Sequence, residues 1–180
     1  MKKRARKAHT QVEPMADTTQ SQILWAPWRI EYILGPKESG CIFCDKPKQS
    51  NDRDNFIVHR GEFAFVIMNK YPYNNGHLMA VPYRHESAFD RLSAEEMAEM
   101  MALLQKSSRA LQRIMRPHGF NIGMNAGSAA GAGIDDHLHF HIVPRWSGDT
   151  NFMPVVGHTK VISEGLWETW AHLREAFSSL

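Results

Sequence analysis

The sequence has few cysteines, little net charge and no long apolar run. Two cysteines, Cys41 and Cys44, among 180 residues exclude a disulfide-rich scaffold. No stretch reaches the roughly 20 apolar residues that a membrane-spanning helix needs, and no apolar segment follows the basic start MKKRARKAH, as it would in a signal peptide. A net charge of +2 is too small to indicate nucleic-acid binding by itself. We therefore expect a cytoplasmic protein with no membrane and no nucleic-acid partner.

The rest of the composition is that of a globular domain. Hydrophobic residues make up 43% and charged residues 22% of the chain, and its length suits one well-buried domain. Residues 1–22 are polar and basic and show no periodicity, which predicts a disordered tail. We predict a single domain over residues 23–180, with order beginning near the apolar Trp25 and Trp28.

Hydrophobic patterns predict an antiparallel sheet with helices packed on it, an α+β domain. Short apolar runs bounded by turn residues predict strands at 56–60, 63–69, 77–82 and 120–125. A long helix is predicted to begin at Ser93, which forms an S-x-x-E capping box with Glu96. Its apolar periodicity ends at Pro117. A last helix carries apolar residues at helical spacing up to Phe177.

The segment DDHLHFHIVPRW at 135–146 places three histidines on alternate positions: His137, His139 and His141. Side chains alternate between the two faces of a strand, so this spacing predicts three imidazoles on one face and apolar residues on the other, buried face. Pro144 lacks an N–H for the ladder and is expected to end the strand. Such a row of imidazoles can bind a metal, a phosphate chain or both.

Two further motifs can take part in chemistry. The sequence CIFC contains a C-x-x-C pair, which is typical of half a zinc site, of a redox pair or of two buried cysteines. Because no second C-x-x-C exists, any remaining zinc ligands must be histidines. The glycine-rich segment NAGSAAGAG, immediately before the histidines, is a candidate phosphate-binding loop, because glycines let backbone N–H groups approach a ligand closely.

Together these motifs resemble the histidine-triad superfamily of nucleotide hydrolases and transferases. The H-x-H-x-H run followed by Pro144-Arg145 carries the resemblance, with CIFC, GHLMAVPYRH and NAGSAAGAG in the same order as the family's other landmarks. The match spans residues 24–160 approximately. WAPWRIEYI and PRWSGDTNFMPV are similar to the bacterial branch related to diadenosine-tetraphosphate phosphorylases and fragile-histidine-triad hydrolases. The resemblance implies a five-stranded antiparallel sheet with two helices, in a homodimer whose sheets join.

The resemblance also implies a role for individual residues. His139 corresponds to the nucleophile on the α-phosphate, and His141 and His77 to histidines that contact the phosphates. The implied substrate-binding residues are Asn69 near the ribose, Asn125 and the loop glycines Gly131 and Gly133 at the phosphates, and Ile67 and Met79 at the base. In zinc-bearing members, the ligands correspond to Cys41, Cys44, His85 and His137.

The expected function is cleavage of a nucleoside phosphoanhydride through a nucleotidyl-histidine, on a dinucleoside polyphosphate such as diadenosine tetraphosphate. The expected cofactors are a structural Zn²⁺ and Mg²⁺ carried by the polyphosphate. Two alternatives stay open: a nucleoside phosphoramidate hydrolase of the same fold, and a metal- or nucleotide-binding module without turnover. The sequence leaves open whether water or phosphate accepts the nucleotidyl group.

Overall fold

The computed structural model describes residues 40–131, 133–149 and 162–180. The predicted tail at 1–22 and the predicted start of order at Trp25 and Trp28 lie outside these ranges. Within them, the sheet consists of β1 (Ile57–Arg60), β2 (Ala64–Met68), β3 (Leu78–Pro82), β4 (Gly119–Met124) and β5 (Phe140–Arg145). The α-helices are α1 (Ile42–Asp45), α2 (Ala94–Met115) and α3 (Leu166–Ser178).

The five strands form one sheet in the order β1-β2-β3-β5-β4, and every neighbouring pair is antiparallel. This confirms the predicted five-stranded antiparallel sheet. Strands β1 and β4 are its edges, and β5, which contains the last histidine of the run, lies between β3 and β4. The topology therefore brings the end of the chain's histidine motif next to the strand that follows His77.

Helix α2 packs on the sheet because its apolar residues recur on one side. It contacts β2, β3 and β5, while α3 packs against both α2 and β1. The predicted capping box is present: the backbone N–H of Glu96 donates to the Ser93 hydroxyl at 3.2 Å, and the Ser93 N–H donates to the Glu96 carboxylate at 2.8 Å. None of the described helices is both long and apolar enough to cross a bilayer.

The strand prediction for the histidine run is wrong in two respects. Strand β5 begins at Phe140, so only His141 of the three histidines is in the ladder. Strand β5 also continues through Pro144 to Arg145. The Pro144 carbonyl accepts a hydrogen bond from the Asn74 side chain at 2.9 Å, whereas the Arg145 carbonyl accepts from the His118 N–H on the β4 side at 2.8 Å. The missing N–H of Pro144 therefore points away from β4, and no ladder bond is lost there.

Candidate active site

Four of the predicted residues come together beside α1. Cys41 is the N-cap of α1 and Cys44 lies within it, and the Cys41 sulfur lies 3.2 Å from Nδ1 of His137. The Cys44 sulfur lies 3.3 Å from Nδ1 of His85 and 3.5 Å from Nδ1 of His137. The four ligand atoms all lie within 4.8 Å of one another, so the cluster can hold a metal ion. Two thiols and two imidazoles are a donor set typical of zinc.

The orientation of His137 suits a metal ligand. Its Nε2 lies 2.9 Å from the backbone carbonyl oxygen of Pro82, which can only accept, so Nε2 carries the proton. In the neutral ring Nδ1 then has the lone pair, and it faces the two sulfurs. Metal-binding histidines usually donate their second N–H to a carbonyl in this way. Both the donor set and the hydrogen bond from His137 to the Pro82 carbonyl therefore suit a bound zinc ion.

Hydrogen bonds hold the two loops that carry His85 and His137, the two histidines that could bind the metal. The backbone N–H of Leu138 donates to the Glu86 carbonyl at 2.7 Å, which joins the neighbours of His137 and His85. Next to His85, Arg84 donates through Nε and Nη2 to the two carboxylate oxygens of Glu96 at 2.8 and 2.7 Å. Because Glu96 also caps α2, the His85 loop is anchored to the start of the long helix.

His139 is oriented differently from its neighbours in the triad. Its Nδ1 lies 2.8 Å from the backbone carbonyl of His137, so Nδ1 carries the proton and donates it. In the neutral ring Nε2 is then unprotonated. The side chain is only 5% exposed, and the ring of Phe43 packs against it at 4.9 Å between centroids. The arrangement presents one fixed imidazole with a lone pair on Nε2, which is what a nucleophile requires.

His77 and His141 form a second unit with the opposite protonation pattern. The backbone N–H of Tyr73 donates to Nδ1 of His77 at 3.2 Å, and the Asn69 side-chain amide lies 3.3 Å from the same nitrogen. Since Nδ1 accepts, the proton of neutral His77 is on Nε2, which lies 2.9 Å from Nδ1 of His141. His141 accepts there and therefore carries its own proton on Nε2. It is a hydrogen-bond donor beside the ring of His139, whose Nε2 is unprotonated.

Burial keeps these histidines neutral. Desolvation lowers the pKa of His77 to about 3, with the nearby His141 and His139 contributing in the same direction. Desolvation also lowers the pKa of His141 to about 4, and it lowers the pKa values of His137 and His139. At neutral pH all four rings are uncharged, so the tautomers set by their hydrogen bonds decide which nitrogens donate and which accept.

The predicted base and ribose residues lie in line with the histidines. Ile67 on β2 pairs with Met79 on β3, and Met79 pairs with His141 on β5. Directly opposed residues of antiparallel strands point to the same face, so these three form one row across the sheet. Both apolar side chains are buried. Asn69 lies two residues beyond Ile67, where its N–H donates to the His77 carbonyl at 3.0 Å, and its side-chain oxygen accepts a hydrogen bond from the Tyr71 N–H at 2.9 Å.

The glycine-rich loop lies between β4 and the histidines. Gly127 and Gly131 have φ of +82° and +84°, a conformation that favours glycine, and they flank a single 3-10 turn. The Asn125 side-chain amide donates to the Gly131 carbonyl at 3.4 Å. Gly133 is exposed. In the described part of the chain, no hydrogen bond joins this loop to the histidines, so the structure does not place Asn125, Gly131 and Gly133 in direct contact with them.

Several groups that shape the site were not predicted. The Pro82 carbonyl and the Tyr73 N–H are backbone atoms, and the sequence carries no signal for them. Phe43, inside CIFC, contacts both His137 and His139 through its ring. Its position between the two cysteines is the only sequence signal for this contact, and it does not identify His139 as the partner.

Comparisons with known proteins identify relatives of this chain. A sequence profile of the HIT domain matches residues 50–148. The chain is 43% identical over 159 residues to a Mycobacterium tuberculosis protein named AP-4-A phosphorylase, covering 83% of this chain and 81% of that protein. It is 29% identical over 105 residues to an adenosine 5'-monophosphoramidase of Schizosaccharomyces pombe, covering 58% and 74%. The crystal structure of a Zn-bound histidine triad family protein from Mycobacterium smegmatis superposes with a TM-score of 0.62 at 27% identity, covering 78% and 94%.

Proposed function

The chain belongs to the HIT domain family, and on that premise we propose that it is an enzyme that cleaves dinucleoside polyphosphates, with diadenosine tetraphosphate as substrate. The similarity to AP-4-A phosphorylase over most of both chains supports this substrate class. The proposed chemistry is supported mainly by the hydrogen bond from His139 Nδ1 to the His137 carbonyl, because this bond leaves Nε2 of a buried imidazole unprotonated.

In the first step, the lone pair on Nε2 of His139 attacks the α-phosphorus of the bound nucleotide. The bond between that phosphorus and the bridging oxygen breaks, and the leaving ATP takes the electron pair. Adenylyl-His139 then carries a positive charge on its ring. The His137 carbonyl, which accepts the Nδ1 proton at 2.8 Å, stabilises that charge.

His141 acts on the phosphoryl oxygens. Its Nε2 proton is held in place because Nδ1 accepts from His77, which itself accepts from the Tyr73 N–H. A neutral N–H donor next to the attacked phosphorus stabilises the negative charge that develops on the non-bridging oxygens. We assign His77 the role of positioning residue, since it acts on the substrate through His141.

In the second step an acceptor oxygen attacks the phosphorus, the phosphorus–nitrogen bond breaks and His139 regains its lone pair. We propose inorganic phosphate as the acceptor, on the similarity to a protein named as a phosphorylase. The products are then ATP from the first step and ADP from the second. Mg²⁺ accompanies the polyphosphate in this proposal.

We propose that the metal cluster binds a structural zinc ion. Cys41, Cys44, His85 and His137 would hold it, and the related Zn-bound protein of Mycobacterium smegmatis supports the identity of the metal. Bound zinc would tie α1 to the His85 loop and to the start of the triad. We propose that the zinc stabilises the fold and takes no part in the reaction. His137 would be a ligand, whereas His139, two residues on, would be the nucleophile, so the two tasks fall to different residues.

The remaining assignments follow the family. We propose a cytoplasmic homodimer in which β4 joins its counterpart, supported by the position of β4 at the edge of the sheet and by its exposed Ile122. We propose one domain over residues 23–180 that does not need the basic tail at 1–22 for its activity.

A product assay tests the function. Diadenosine tetraphosphate is incubated with the enzyme, with and without inorganic phosphate, and the nucleotides are separated by anion exchange. Phosphate-dependent formation of ADP and ATP in equal amounts is expected. AMP and ATP formed regardless of phosphate would make water the acceptor. Activity on adenosine 5'-phosphoramidate alone would replace the proposed substrate class with that of the phosphoramidases.

A further inference from the structure

A depression beside the histidines has no role in the mechanism above. It has a volume of about 300 Å³ and is lined by Tyr73, Asn74, Asn121, Val143 and Arg145. Val143 lies two residues beyond His141 on β5 and pairs with Asn121 on β4. Because residues two apart on a strand point to the same face, the depression opens on the face that carries His141.

The sheet order gives the direction in which a substrate would lie. On the proposed function, one nucleoside lies over β2 and β3 at Ile67 and Met79, and its α-phosphate lies near His141 on β5. The same row continues from His141 to Gly123 on β4, which is the edge strand. The leaving part of the substrate would then extend over β5 and β4, and the depression lies over these two strands, beginning two residues beyond His141 at Val143 and Asn121.

Tyr73 borders both the depression and the histidines. Its ring centroid lies 4.7 Å from that of His77 and 5.8 Å from that of His141, yet the residue is 58% exposed. The backbone N–H donates to Nδ1 of His77, so the position of the residue is fixed while most of its surface is exposed. An exposed aromatic ring held in this way is a surface on which a nucleobase can stack.

Arg145 also lines the depression. Its Nη1 donates to the Asn121 amide oxygen at 2.8 Å, while Nε and Nη2 donate to Asp149 at 2.6 and 3.0 Å. A guanidinium has five N–H groups, so three of them orient it and two can still reach a ligand. Arg145 lies four residues from His141, about 13 Å along the strand, which leaves room for several phosphates in between.

We propose that this depression is the subsite for the leaving nucleotide, with its base stacked on Tyr73 and its distal phosphates beside Arg145. The subsite rests on the proposed function, since it assigns the second half of a dinucleoside polyphosphate. The subsite gives a role to two groups that cleavage at one phosphorus does not require. These are Tyr73, an exposed tyrosine beside the histidines, and Arg145, a cation held on the same face of β5.

The test compares two substrates that differ only in the second nucleoside. Diadenosine tetraphosphate and adenosine tetraphosphate share the adenylyl group and the four phosphates, so the ratio of their kcat/KM values reports the contribution of the second nucleoside. In the Tyr73→Ala variant we expect this ratio to fall roughly tenfold, because alanine removes the stacking surface. Tyr73→Phe keeps the ring and should keep the ratio. Tyr71→Ala, at an exposed tyrosine two residues earlier, is the matched control.

An unchanged ratio in Tyr73→Ala overturns the subsite, and so does an equal loss on both substrates, which would mean that the ring acts only on the histidines. Either result leaves the proposed function intact as long as the wild-type enzyme cleaves diadenosine tetraphosphate. A wild-type enzyme that cleaves neither substrate overturns the proposed function itself, and the subsite with it.

Discussion

Nε2 of His77 lies 2.9 Å from Nδ1 of His141, and this hydrogen bond determines what His141 can do. His77 can donate because its other nitrogen accepts from the Tyr73 N–H. Through this chain of contacts a backbone amide sets the tautomer of a side chain two hydrogen bonds away. The neighbouring His139 receives the opposite tautomer from the His137 carbonyl. Two adjacent imidazoles thus present different nitrogens: His141 has a free N–H on Nε2, and His139 has a lone pair on Nε2, which suits the nucleophile proposed above.

The low pKa values of these histidines predict how stability depends on pH. Folded His77 has a pKa of about 3, whereas in the unfolded chain its pKa is near 6.5. The unfolded state therefore binds protons first as the pH falls, so the free energy of unfolding is highest above about pH 6.5 and falls between 6.5 and 3. Urea denaturation at pH 7.5, 6.5, 5.5 and 4.5 should show this loss.

The matched comparison is His77→Gln, whose slope against pH should be smaller by about 1 kcal/mol per pH unit. Protonation of Cys41, Cys44, His85 and His137 is common to both proteins and cancels in the difference. Identical slopes for the two proteins would mean that His77 is not buried as a neutral ring.

Removing the metal cluster should lower stability. We expect close to one zinc per chain in the purified protein and almost none in the Cys41→Ser/Cys44→Ser double variant, measured by mass spectrometry of the metal content. A loss of about 2 kcal/mol would lower the melting temperature by roughly 5 °C for a chain of this size. His172→Ala, an exposed histidine outside the cluster, should keep its zinc. Metal-free wild-type protein, or an unchanged melting temperature in the double variant, contradicts the site.

A buried hydroxyl on α2 offers a stabilising change. Ser107 is 1% exposed, and its Oγ has no hydrogen-bond partner in the described part of the chain. Alanine removes an unpaired polar atom, so Ser107→Ala should raise the free energy of unfolding by about 1 kcal/mol. Ser108→Ala, at the half-buried next residue of the same helix, is the control for the gain in helix propensity. A loss of stability in Ser107→Ala, beyond the effect at 108, would show that the hydroxyl has a partner.

The proposed dimer can be tested at the edge strand. Ile122 on β4 is 54% exposed, and a charge there would be desolvated if two sheets joined along β4. Wild-type protein should sediment as a dimer and Ile122→Glu as a monomer. Leu180→Glu, at an exposed apolar residue away from β4, should remain dimeric. A monomeric wild-type protein, or a dimeric Ile122→Glu, rules out this interface.

Local patterns in the sequence predicted most of the fold. The Ser93–Glu96 capping box involves residues three apart, and the structure has both of its hydrogen bonds. The predicted strands around β2 and β3 are present because each is a short apolar run between turns. The sequence could not predict that β5 continues through Pro144. That depends on which side of Pro144 faces β4, and this follows from the strand order, which is a property of the whole sheet.

In the candidate site, too, local sequence signals were predictable and contacts set by the whole fold were not. The C-x-x-C pair is a local signal, and the resemblance to a family supplied His85 and His137, which the structure brings to the two cysteines. The tautomers could not be predicted, because the groups that set them are the carbonyls of Pro82 and His137 and the N–H of Tyr73. Every residue has such backbone groups, and only the fold selects which of them face an imidazole.

The central claim is that Nε2 of His139 attacks the α-phosphorus. The most direct measurement is to quench the wild-type enzyme during turnover of diadenosine tetraphosphate and to locate adenylate by mass spectrometry of the peptides. We expect an acid-labile adenylate on His139, absent from His139→Asn, which should lose turnover yet bind nucleotide within a few-fold of wild type. His172→Asn is the control that should keep both. Adenylate on another residue, or turnover by His139→Asn, would contradict the assignment.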